Sequence, residues 1–230
     1  MPETKLIQEL WYLREELAVY HKLLFNQGLV VWSSGNISAR DRKSGLVVIK
    51  PSGVLYPDLK SASMVVVDLD GHVHGNFLKP STDCESHLYV YKHFENIHAV
   101  VHTHSTFATA FAGRGIEIPV VLTATADEFG GPIPCGDFAR IGGDEIGREI
   151  VNLLRRRFCR AILLKHHGVF TFGKTVEEAV KAAVMVEDIA KTTYYALKLS
   201  SSYRLTQLLP DEEIEIAHQR YTQDYGQEKG

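Results

Sequence analysis

The sequence predicts an α/β fold, a central sheet flanked by helices in one domain covering residues 1–230. Three observations predict it. Short apolar runs bounded by glycine, proline and polar turns recur along the chain and read as strands. Longer stretches with apolar residues at three-and-four spacing fall between them and read as helices. With 230 residues, 45% of them hydrophobic and 23% charged, the chain is long and apolar enough to bury a sizeable core.

Leu6, Leu10, Leu13, Leu17 and Leu24 place an amphipathic helix over 4–26, stopped near Gly28. Residues 29–32 lead into a polar turn at 33–38. Gly45 to Lys50 reads as a strand closed by the turn Pro51-Ser-Gly53. Runs at 64–68 and 72–77, joined across Asp70-Gly71, read as a hairpin. A helix opens at Pro80-Ser-Thr82, with Thr82 and Glu85 as a capping box, and runs to about Phe94. A strand over 99–104, a helix over 106–112 and a strand over 118–122 follow. Then come a helix over 144–158 and strands over 160–164 and 169–172. Thr175 and Glu178 form a second capping box that opens a long helix to about Leu199. Residues 210–230 read as a polar tail.

A net charge of −3 argues against nucleic acid or an anionic membrane surface as a partner. No apolar run approaches membrane-spanning length. The N-terminus does not read as a signal peptide, and Cys84, Cys135 and Cys159 fit neither a disulfide framework nor a metal knuckle. A cytoplasmic protein is expected.

The chemistry centres on Ala99-Val-Val-His-Thr-His-Ser105, where His102 and His104 leave one face of a strand end. A later apolar run ends in His166-His-Gly168. Three histidines from two strand ends, with a fourth position open, form a catalytic metal-site pattern. Periodicity does not choose between His166 and His167; His72, His74 and His87 read as surface or packing residues. Asp83, in the first turn of its helix, is favoured by the helix dipole, or is a fourth metal ligand or a carboxylate near the reacting hydroxyl. Three turns, containing Ser34 to Asn36, Pro51 to Gly53 and Pro80 to Thr82, offer hydroxyls and free backbone N–H groups to an anion. Lys50 adds positive charge beside the second. Asp127 is a loop cap or an acid/base, and the Tyr225 phenol is a proton donor or a tail residue.

The chain resembles the class II aldolase/adducin family, and within it the L-ribulose-5-phosphate 4-epimerase branch. The matching stretches are Ser34-Gly-Asn-Ile-Ser38, Val48-Ile-Lys-Pro-Ser-Gly-Val54, Met64 to Asp68, Lys79-Pro-Ser-Thr-Asp83, Val101-His-Thr-His-Ser105, Ala126-Asp127, Ile133-Pro-Cys135, His167-Gly168 with Phe172-Gly-Lys174, and Tyr225-Gly-Gln227. The resemblance implies a three-layer α/β/α domain with a largely antiparallel central sheet, assembled as a homotetramer with active sites between subunits. It selects His167 as the third metal ligand beside His102 and His104, with Asp83 near the metal. The family's aldolases carry a glutamate where Asp83 stands. The implied metal is one divalent ion per subunit, zinc in the first place, with manganese or cobalt as alternatives. Asn36, Lys50, Ser52, Gly53, Ser81 and Thr82 fall on substrate- and phosphate-binding positions. Asp127 and Tyr225 fall on the acid/base pair, the tyrosine coming from the adjacent subunit. The expected substrate is a phosphorylated ketose, and the expected reaction is inversion of C4, L-ribulose 5-phosphate to D-xylulose 5-phosphate, by retro-aldol/aldol chemistry. An L-fuculose-1-phosphate aldolase-like lyase is the alternative, and a non-catalytic adducin-like module the remoter one. The tail and the short loop 136–144 depart from the epimerase pattern.

Overall fold

Alternate residues of each valine-rich strand feed two different helical layers, so the sheet is buried on both faces. The computed structural model describes residues 8–75, 78–199 and 208–223. Its eight strands are β1 (Asn36–Arg40), β2 (Val47–Ile49), β3 (Val65–Val67), β4 (Val73–His74), β5 (Ala99–Thr103), β6 (Cys135–Gly136), β7 (Ala161–Leu164) and β8 (Val169–Gly173). They lie in the order β4-β3-β2-β1-β5-β8-β7-β6. The helices are α1 (Trp11–Asn26), α2 (Cys84–His93), α3 (Thr106–Arg114), α4 (Thr123–Phe129), α5 (Glu145–Arg156), α6 (Val176–Leu199) and α7 (Asp211–Gln223).

Val48, Val66 and Val101 pack with Leu13, Leu17 and Leu24 of α1 and Ala179 and Ala183 of α6. Farther along that face, Leu163 and Val169 meet Phe111 of α3 and Val186 of α6. Val47, Ile49, Val65 and Val100 point the other way, joining Phe170, Phe172, Leu88 of α2 and Ile150 of α5. The small residues of α6 let that helix lie close on the sheet.

The sheet is mixed, where a largely antiparallel one was expected. β6 runs parallel to β7, while the other named pairs are antiparallel. The cause is the connection. Parallel neighbours need a crossover of about a dozen residues or more, and α5, 12 residues long, supplies it.

Four local expectations also change. The polar stretch at 33–38 turns earlier, and Asn36 begins β1, a central strand. Two of its polar side chains find partners outside the strand: Ser38 bonds His87 and Tyr91, and Arg40 donates to the carbonyls of Tyr91, Glu95 and Ile97. Residues 118–122 form no strand; Ile118 bridges to Ile133, and Pro119 has no N–H for a ladder. Residues 123–129, assigned no element from sequence, form the short helix α4. The tail contains α7, whose Ala217, with Leu209 and Ile214 nearby, packs on Val120 and Ala126. Of the capping boxes, Thr175 Oγ1 accepts the Glu178 N–H at 3.1 Å, and Glu178 in turn accepts the Lys174 N–H at 2.9 Å. The Thr82 box does not form: α2 starts at Cys84, and its N-cap Asp83 makes no capping bond. The three cysteines are unpaired.

Candidate metal centre

His102 stands in β5 opposite Phe170 of β8 on one side and Asn36 of β1 on the other. Its ring stacks on Phe170, centroids 4.2 Å apart and planes 13° off parallel. Its Nδ1–H donates to the Val169 carbonyl at 2.9 Å, which fixes the tautomer and leaves the Nε2 lone pair free for a ligand bond. His104, beyond the strand end on the same side, brings its Nε2 to 2.9 Å from His102 Nε2. His167 arrives from the β7–β8 turn, and its Nδ1 is buried without a hydrogen-bond partner. The turn is made by His166 in the left-handed region, φ 60°, whose N–H is taken by the Ala112 carbonyl. The His166 side chain is exposed and outside the cluster, and His167 is the one that faces the pair. Ligand atoms of His102, His104 and His167 lie within 4.8 Å of one another. Nitrogens around a tetrahedral ion sit about 3.3 Å apart when metal–nitrogen bonds are about 2.05 Å, so the cluster has the dimensions of a divalent metal site.

The electrostatics agree. Burial holds His102 down to about 3 against the pull of Asp83. Burial also depresses His104 and His167, the latter further through His104. Three imidazoles are thus kept neutral, the form that binds metal. Burial alone would raise the Asp83 carboxyl. Attraction to His102 and His87, the bond from Asn36 and attraction to His167 outweigh it and hold the group below the usual carboxylate range.

The triad opens on a cleft of about 310 Å³ lined by Ser33 to Asn36, Lys50, Ser52, Gly53, Ser81 to Asp83 and Ile141. All three polar turns of the sequence meet here. The second and third are tied together by two backbone bonds, Ser52 N–H to Lys79 and Ser81 N–H to Lys50, each 2.9 Å. Asn36 Nδ2 donates to Asp83 Oδ2 at 2.7 Å and to Ser81 Oγ at 2.9 Å. Gly35, at φ +75°, holds the first turn where a Cβ would lie 2.8 Å from the His102 carbonyl oxygen. Lys50 is buried, and among the described residues it forms no ion pair with a carboxylate. Its ammonium donates to the carbonyls of Ser33 (3.1 Å) and Pro51 (3.3 Å) and lies 5.3 Å from the Tyr56 ring centroid. Burial lowers it to about 8.

The structure therefore gathers His102, His104, His167, Asn36, Lys50, Ser52, Gly53, Ser81, Thr82 and Asp83 around one cleft. Asp83 lines it, with its carboxylate engaged by Asn36, and is not one of the three clustered ligands. Asp127 does not line the cleft. It lies on α4, 3.4 Å from Arg220 of α7, while His218 Nδ1–H donates to the Asp127 carbonyl at 2.8 Å. Tyr225 falls outside the described residues.

Two buried histidines support the cleft from behind. His21 of α1 donates to the Leu17 carbonyl at 2.6 Å and accepts the Ile37 N–H at 2.9 Å, bracing β1 next to Asn36. His87, one turn after Asp83, bonds Ser38 Oγ at 2.7 Å. Only their place on the buried faces of α1 and α2 could have flagged them in sequence.

Comparison with known proteins agrees with this geometry. Residues 15–194 match the family described as the class II aldolase and adducin N-terminal domain. A protein named L-ribulose-5-phosphate 4-epimerase UlaF, from Salmonella paratyphi C (strain RKS4594), is 42% identical over 179 residues, 74% of this chain and 78% of its own. A solved structure of L-fuculose 1-phosphate aldolase superposes with a TM-score of 0.84 at 28% identity, covering 91% of this chain and 95% of its own. YgbL from Escherichia coli gives a TM-score of 0.75 at 26% identity, covering 90% and 98%. With a match over most of its length, three histidines at the end of β5 and in the β7–β8 turn, and this architecture, the chain belongs to the class II aldolase and adducin family.

Proposed function

We propose that the protein is a metal-dependent sugar-phosphate 4-epimerase interconverting L-ribulose 5-phosphate and D-xylulose 5-phosphate, the whole chain acting as one domain. The observation that carries this reading is three imidazoles converging on a cleft walled by polar turns and a buried lysine. The 42% identical relative bears that epimerase's name. His102, His104 and His167 would hold the ion, with Asp83 as a further oxygen donor beside them. A divalent ion held there, zinc in this reading, would supply Lewis-acid stabilisation of negative charge on the ketose oxygens.

The rest of the work falls to the chain. Lys50, Ser52, Gly53, Ser81 and Thr82 take the phosphate end, and Asn36 aligns Asp83. Asp127 and Tyr225 serve as the acid/base pair. One takes the proton of the C4 hydroxyl as the C3–C4 bond breaks, its electron pair passing to C3 and onto the C2 carbonyl oxygen, to leave an aldehyde at C4. The aldehyde turns over, the bond re-forms from its other face, and the second residue returns a proton to the C4 oxygen. No atom is gained or lost, and C4 is inverted. Asp127 lies outside the cleft of its own chain, so this reading places active sites where copies meet, in a homotetramer.

An aldolase is the second reading, favoured by the TM-score of 0.84 to L-fuculose 1-phosphate aldolase. NMR of L-ribulose 5-phosphate incubated with zinc-loaded protein separates them. Build-up of D-xylulose 5-phosphate to an equilibrium mixture is the expected result. Accumulation of dihydroxyacetone and glycolaldehyde phosphate would mean that the fragments escape and that the enzyme is an aldolase.

The lysine gives a pH test. Its ammonium is charged below about 8 and neutral above, so affinity for a phosphorylated ketose should fall as pH rises through that value. Lys50→Met should raise KM by about 10–100-fold, the worth of a charge-assisted hydrogen bond or two, and flatten that pH dependence. An unchanged KM profile would remove Lys50 from phosphate binding.

A further inference from the structure

We propose that Glu187 of α6 is a positioning residue for the metal centre, its carboxylate anchoring the turn that carries His104. The proposal rests on the reading of the three histidines as metal ligands. The chain leaves β5 at Thr103, passes His104 and Ser105, and enters α3 at Thr106. The first N–H groups of a helix have no partners within it. Ser105 is the N-cap, yet its side chain makes no capping bond, and its buried hydroxyl has no partner. α3 has no acidic residue in its own first turn. The need is met from another helix. Glu187 Oε1 accepts the Phe107 N–H at 2.9 Å, while Oε2 accepts it at 3.1 Å and the Ala108 N–H at 2.9 Å. A carboxylate there is also favoured by the helix dipole.

His104 needs this support more than its neighbour does. His102 is aimed by its bond to Val169 and its stack on Phe170. Among the described residues, His104 makes no side-chain bond to a carbonyl or carboxylate; its one close polar neighbour is His102 Nε2. Its ring is therefore aimed by backbone placement, fixed by the β5 ladder on one side and by Glu187 three residues beyond on the other. α6 is also tied to the sheet, where Thr171 Oγ1 of β8 donates to the Ala179 carbonyl at 2.7 Å. A second effect follows. A helix N-terminus beside a metal site would otherwise attract the substrate's phosphate; Glu187 occupies this one, leaving the phosphate to the turns around Lys50.

The test is zinc affinity, measured by competition with a chromogenic chelator, alongside the melting temperature of the metal-free protein. Glu187→Gln is expected to weaken zinc binding by about 10–100-fold, as loss of a supporting partner does, with a much smaller change in metal-free stability. Glu187→Asp, which keeps the charge on a shorter arm, should fall between, and its cobalt-substituted form should show a shifted visible spectrum. Asp188→Asn, exposed on the same turn, should match wild type. Glu187 variants that bind zinc within twofold of wild type, with an unchanged cobalt spectrum, would overturn the proposal whatever their stability. A wild-type protein that binds no zinc, manganese or cobalt would overturn the metal reading and this one with it.

Discussion

Replacing His102 with alanine is expected to strip the protein of its metal and lower turnover by about 10³-fold or more. Lewis-acid stabilisation supplies several kcal/mol, and each 1.36 kcal/mol is a factor of ten in rate. Two further losses come with it: the Val169 carbonyl gives up its donor, and Phe170 gives up a stacked ring. Part of the effect would therefore be structural. His167→Ala separates the two, because that ring is less buried and its Nδ1 holds no partner. Metal content by elemental analysis and turnover should fall together in both variants, with the larger drop in melting temperature in His102→Ala. Stoichiometric zinc retained by either variant would show that the ion is held elsewhere.

Gly168→Ala should do almost as much damage without touching a ligand. An added Cβ would lie 2.6 Å from the Thr103 carbonyl oxygen, 2.8 Å from His104 Cδ2 and 3.2 Å from His102 Cε1. The first obstacle is backbone and cannot rotate away. Either β5 or the His167 turn must move, and both carry ligands. Overpacking of this kind costs about 1–3 kcal/mol of stability, and a displaced histidine should cost zinc affinity by about 100-fold. Gly113→Ala is the control. It lies inside α3 with nothing within 4 Å of the added carbon, so it should raise stability by about 0.5–1 kcal/mol and leave zinc binding alone. Equal behaviour of the two variants in zinc titration would mean that close packing at Gly168 does not set the site.

The histidine cluster was legible because its signal is local. His-x-His at a strand end and a histidine before glycine are short patterns with a direct geometric meaning. The polar turns were legible as turns, but their convergence was not: Lys50 and Ser81 meet through a backbone bond across 31 positions of chain. β1 was hidden because Asn-Ile-Ser-Ala-Arg lacks the β-branched pattern of a strand; its hydrogen bonds to His87, Tyr91 and the turn after α2 make up for that only in the folded state. Glu187 was hidden for a similar reason. It looks like any charged residue beside the apolar face of a helix, and its partners lie some 80 residues earlier. The parallel pairing of β6 was missed because a two-residue strand leaves almost no pattern to read.

The two ends of the sheet are its shortest members. β4 and β6 are two residues each, whereas the strands that carry the site, β1, β5 and β8, are five residues long and interior. Exposed rows of unpaired N–H and C=O groups are what recruit another chain's strand and seed aggregation. Among the described residues the edge strands are too short to offer many, which gives another chain's strand little to pair with. In the assembly proposed above, copies of the chain would meet through side chains on the helical layers and loops, contacts that can be tuned residue by residue without disturbing the ladder that aims the histidines.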